Sequence, residues 1–108
     1  MPLTVFLLLF AAPEWLKLDR SKRDEIAARA LKHAFPDQGV SIRFYDAEAF
    51  NARYSDVAVL EGSTAEAIYF AMERLRDTEL ITQGYFLVRE IIPAFENGHR
   101  VFADSLAT

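Results

Sequence analysis

The chain has no cysteine, which excludes disulfides, thiolate metal sites and cysteine nucleophiles together. It has only two histidines, His33 and His99, so a zinc or iron site would have to be built mostly from carboxylates. His99 with Glu96 makes a lone Glu-x-x-His, too little for a metal without a second such pair. Four glycines, all in turn-like contexts, cannot form a phosphate-cradling loop. Twelve Lys and Arg against sixteen Asp and Glu give a net charge of −4 with no basic stripe, which argues against nucleic acid as a partner. No apolar run approaches the ~20 residues of a membrane-spanning helix. No Lys or Arg precedes Val5, and Pro13 would follow any cut after Ala11-Ala12, so the opening is a poor secretory leader. The expectation is a cytoplasmic protein with no metal, no cofactor, no nucleic acid and no membrane partner.

Apolar residues supply 52% of the chain, and they fall in short clusters. Val5-Phe6-Leu7-Leu8-Leu9-Phe10 shows no alternation, the mark of a strand covered on both faces. Helices can cover one face of a small domain; something else must cover the other. Glu14 to Leu18 reads as a connecting segment. Asp19 or Ser21 then caps a helix to about Ala34, with Ile26, Ala27, Ala30, Leu31 and Ala34 on its apolar face. Pro36-Asp37-Gln38-Gly39 is a turn, and Val40 to Tyr45 alternates with period two as a strand. Asp46 to Phe50 fits either a turn or a short helical piece, and Ser55 to Glu61 is a third strand. Ser63-Thr64-Ala65-Glu66 reads as a capping box opening a helix to about Arg76, with Ile68, Ala71, Met72 and Leu75 inward. Asp77 to Gln83 adds a turn of helix, and Tyr85 to Ile92 is a fourth strand stopped by Pro93. The tail carries the turn signal Glu96-Asn97-Gly98 and a short stretch at Arg100 to Phe102.

This order, β-α-β-β-α-β, predicts an α+β chain with the ferredoxin-like sandwich: a four-stranded antiparallel sheet with two helices on one face. One domain spans 1–108, with its core in 3–93 and a tail in 94–108. The doubly apolar first strand implies that the far face is covered too, and two copies packed face to face, a dimeric α+β barrel, would cover it.

Pro13-Glu14-Trp15-Leu16, the run Arg43 to Phe50, Ala52-Arg53, Ser55 to Val59, Leu75 to Thr78 and Glu90 to Ala94 together resemble the darcynin family of small bacterial proteins. The resemblance spans nearly the whole chain. It implies a dimeric α+β barrel-like fold and brings no settled activity with it.

Ser41, Arg43 and Tyr45 share one face of the second strand, with Ile42 and Phe44 on the other. If the apolar pair faces the helices, Arg43 and Tyr45 point between the two sheets. A guanidinium there needs a carboxylate, Glu61 or Glu90, or an anionic ligand. It is therefore either a structural ion pair of the dimer or a ligand-orienting group. The segment Asp46 to Asp56 concentrates Asp46, Glu48, Asp56, Asn51, Arg53 and Tyr54. Paired carboxylates near an apolar cavity can separate in pKa into an acid and a base. Alternatively the segment is solvated, or Asp46 and Asp56 cap turns bridged by Arg53. Tyr69, Tyr85 and Trp15 read as core or interface aromatics, and Tyr69 is also a candidate substrate contact.

Two functions fit. One is a barrel binding a small hydrophobic or aromatic molecule, in its enzymatic form a cofactor-free lyase, isomerase, cyclase or oxygenase. In that form Arg43 holds a carboxylate or enolate, Asp46, Glu48 or Glu90 moves a proton, and Tyr45, Arg53, Asp56 and Tyr69 contact the substrate. The other is a non-catalytic binding or structural homodimer locked by the same charges.

Overall fold

The fold, described for residues 1–36 and 39–107, comes from a computed structural model. β1 (Leu3–Ala11), the short α1 (Pro13–Leu16), α2 (Arg20–Ala34), β2 (Val40–Asp46), β3 (Asp56–Gly62), α3 (Ala65–Arg76), the short α4 (Glu79–Thr82), β4 (Phe86–Ala94) and α5 (Gly98–Ser105) follow in order. The four strands form one antiparallel sheet in the order β2-β3-β1-β4, the ferredoxin-like α+β arrangement expected from the sequence. Of the turn expected at Pro36 to Gly39, Asp37 and Gln38 lie outside the described residues.

The helix layer covers one sheet face because the strands alternate in step with it. Val5, Leu7, Leu9 and Ala11 of β1, with Ala58 and Leu60 of β3 and Val40 of β2, meet Ile26, Ala30 and Ala34 of α2 and Ile68, Ala71 and Leu75 of α3. Trp15 is buried against the rings of Tyr85 and Phe86, with centroids 5.3 and 5.0 Å away, and anchors the β1 end of this core. Asp19 caps α2 by accepting from the Lys22 amide at 2.8 Å. The α3 cap is Thr64, which accepts from the Ala67 amide at 3.1 Å, one residue beyond the serine expected there.

Two further departures concern the C-terminal part. β4 runs through Pro93 to Ala94, because β4 lies at the sheet edge, where a missing N–H need not break the ladder. The stretch at Arg100 to Phe102 lies within a helix, α5, that follows Asn97 at φ 52°. No residue of α5 is buried.

The other sheet face is bare. Thr4, Phe6, Leu8 and Phe10 of β1 register with Glu61, Val59 and Val57 of β3, and with Ala94, Ile92, Glu90 and Leu87 of β4. Ser41, Arg43 and Tyr45 continue this face onto β2. Phe6 is 37% and Ile92 44% exposed in the middle of it.

Candidate functional site

The strand parity that makes the core also sorts the candidate residues onto two faces. Arg43 and Tyr45 stand on the bare face, opposite Val59 and Val57. Arg43 Nη2 donates to Glu61 Oε1 at 3.0 Å across the β2–β3 ladder, both side chains remaining half exposed. With Thr4, Phe6 and Phe95 they border a shallow trough of about 620 Å³.

Asp46 and Asp56 face each other in the β2–β3 register on the helix side of the sheet. With Glu48 they offer carboxylate oxygens within 4.8 Å of one another, the one such group of metal-ligating side chains among the described residues. They border a depression of about 420 Å³ shared with Trp15, Arg23 and Asn51. Three hard oxygen donors suit a calcium- or magnesium-like ion by type, and the same crowding favours a proton on Asp56. Burial, and after it the neighbouring Asp46 and Glu48, pushes the half-buried Asp56 carboxyl above its usual value, against the lowering effect of the Ser55 hydroxyl. Arg53 does not bridge Asp46 and Asp56: among the described residues it enters no ion pair, and its guanidinium lies 5.7 Å from the Tyr54 ring centroid. The geometry therefore separates Arg43 from Asp46 and Glu48, which the sequence alone groups into one site.

A raised carboxyl pKa has a defined sign. The folded chain holds the Asp56 proton more tightly than the unfolded chain, so stability falls as pH rises from about 3.8 through the folded value, and the penalty is complete above it. Asp56→Asn keeps an acceptor for Ser55 and removes the charge. We expect it to raise the melting temperature at pH 7 by a few degrees, with the gain vanishing near pH 3, by paired thermal melts. An unchanged difference across that range would show that Asp56 carries no such penalty.

Glu90 lies on the bare face, away from the other acids, and accepts a hydrogen bond from the Tyr54 hydroxyl. That bond, burial and the Glu90 charge raise the Tyr54 phenol above its ordinary value, while Arg53 and Arg89 pull it down. Two local devices build this corner. Asn51 Oδ1 accepts from the Arg53 and Tyr54 amides at 2.7 and 3.0 Å, an Asx turn that folds the loop back. In β4, Leu8 registers with Glu90 but Leu9 with Val88, so Arg89 is an inserted residue, a β-bulge. The bulge puts Arg89 and Glu90 on the same side, and the Arg89 guanidinium sits 4.5 Å above the Phe10 ring. Phe10, Ala52, Arg53, Tyr54, Arg89 and Glu90 border a cavity of about 470 Å³. Tyr54 was legible only as part of a polar loop, and Arg89 and Phe10 not as site residues at all. The Asn at 51 is the signal for the turn; no glycine marks the bulge. Tyr69 stands on α3, in the helix layer, 60% exposed and tilted against Phe70, away from this corner, so of the core and interface positions expected for it the core one does not hold.

The architecture is that of a ferredoxin-like α+β protein with one face of its sheet left bare. The family model described as "Darcynin, domain of unknown function" matches residues 1–106, and the chain belongs to the darcynin family. It is 41% identical over 85 residues to Darcynin 1 of Acinetobacter baumannii, covering 78% of this chain and 94% of that one. It is 47% identical over 68 residues to a darcynin of Chromobacterium violaceum, covering 63% and 86%. Among solved structures, a heme-binding protein of Thermus thermophilus superposes with a TM-score of 0.80 at 12% identity, over 98% of this chain and 44% of that one. A chlorite dismutase variant from Candidatus Nitrospira defluvii gives 0.78 at 14% identity, over 99% and 45%. The chain thus spans under half the length of these solved structures, and the likeness to them is one of fold.

Proposed function

We propose that the chain works as a homodimer, two copies packed bare face to bare face into an α+β barrel, binding a small apolar or aromatic molecule between the sheets. The observation that carries this is the apolar stripe of Phe6, Leu8 and Ile92 around an already buried Val59, in which Phe6 and Ile92 stay exposed because no helix lies over this face in the protomer. Contiguous exposed patches of that kind mark interaction surfaces. The fold neighbours support it by proportion: each is more than twice as long as the part this chain matches, which leaves room for a second unit.

In the enzymatic form of this reading the polar corner supplies the chemistry. Glu90 is the nominated carboxylate on the bare face, and with Tyr54 it can pass a proton to or from a bound molecule. Arg43 with Glu61 serves the opposite edge, holding register between copies. Asp46, Glu48 and Asp56 open toward the helix side and do not share that space. Heme is not carried over from the fold neighbours. No imidazole stands on the bare face to serve as an axial ligand: His33 is on α2 and His99 on α5.

Light scattering and a thermal-shift screen test the reading. We expect a mass of twice 12.3 kDa at micromolar concentration. A ligand at ~100 times its Kd adds about 2.7 kcal/mol, a rise of roughly 10 °C for a domain of this size. A monomer unmoved by any small aromatic compound would sink the proposal.

A further inference from the structure

We infer that the corner between the β2–β3 loop and the β4 bulge is an anion site, and that the ligand of the barrel carries a single negative charge, as an aromatic monocarboxylate does. This rests on the dimeric, ligand-binding reading above and specifies its ligand. Charge balance leads to it. Across the bare face Arg43 is matched by Glu61. In the corner, Glu90 is engaged by the Tyr54 hydroxyl, while Arg53 and Arg89 enter none of the ion pairs among the described residues. Two guanidiniums against one carboxylate leave an excess of one positive charge around a cavity of about 470 Å³.

Exposed in a lone protomer, that excess is solvated by water. Covered by a second sheet it is not, and an unpaired guanidinium is among the costliest groups to cover. An anionic ligand removes the cost and takes the planar fork geometry of arginine. The ring faces of Phe10 and Tyr54 lie beneath the two guanidiniums, 4.5 and 5.7 Å from them, so a flat aromatic body can stack beside the charge. The bulge is the structural device: with regular pleating Arg89 would turn into the helix layer, and only the inserted residue lets it share a side with Glu90.

Titration calorimetry with benzoate and its neutral isostere benzamide tests this on the full chain, with Arg89→Gln and Arg53→Gln beside it. Wild type should bind benzoate at least tenfold more tightly than benzamide. Each substitution should weaken benzoate at least tenfold and leave benzamide unchanged, with the dimer mass retained. If Arg89→Gln does not assemble, Arg53→Gln carries the comparison, because its side chain lies on a loop outside the sheet. Equal binding of the two probes by wild type, or benzoate affinity indifferent to both substitutions, overturns the anion site while leaving the ligand-binding reading intact. Failure of wild type to bind either probe also overturns the anion site, while the ligand-binding reading stands or falls on the light scattering and the broader screen above.

Discussion

Phe6→Asp is expected to turn the proposed dimer into monomers. Phe6 lies in the middle of β1, a central strand, flanked on the bare face by Val59 and Ile92. A carboxylate there would be desolvated by the partner with no cation on either neighbouring position. At 37% exposure the side chain sits outside the helix-side core, so the protomer keeps its fold. A dissociation constant weakened by at least ~100-fold corresponds to roughly 2.7 kcal/mol, within the range of a lost aromatic anchor at an interface. In light scattering at micromolar protein the mass should fall to 12.3 kDa while far-ultraviolet circular dichroism stays unchanged. A variant that remains dimeric would place the interface elsewhere.

Leu60→Ala should cost the most stability of any single truncation, about 3–5 kcal/mol. Leu60 is 0% exposed, registers with Val5 on one side and Ile42 on the other, and faces the α2–α3 layer. Leu60 belongs to the same buried cluster as Ile26 and Ile68 and stands between two ladders, so the hole cannot collapse cheaply. The melting temperature should drop by roughly 15 °C or more, measured at fixed protein concentration because the proposed assembly would contribute to it. A loss under a third of that would mean that the helix layer closes over the gap.

Most of the fold was readable because its signals are local. Alternation in Val40 to Tyr45, the Asp19 cap and the apolar positions of the two long helices each follow from spacing alone, and the structure agrees with each. The bare face was readable too, from the unbroken apolar run in β1. The site was harder. Arg43 and Asp46 are three apart, so strand parity puts them on opposite faces; grouping them treated the loop as free to swing the acids round, whereas Asp46 is still in the ladder. The bulge at Arg89 depends on how β4 registers with β1, two segments some eighty residues apart, and no local residue choice announces it. Pro93 reads as a stop unless the strand is known to be at the edge. The helical tail has few apolar residues and no side-chain cap, which is why it registers only as a short stretch.

The inserted residue in β4 also makes one position expendable to the backbone. Excising Arg89 would join Val88 directly to Glu90, and both would keep the β1 partners they already have, Leu9 and Leu8. Removal of a residue elsewhere in the same strand would slide everything on one side by a step and present greasy side chains to the wrong layer. Length changes among relatives, if the sheet is to survive them, have one painless place to fall in this strand, and it is the place that carries the charge.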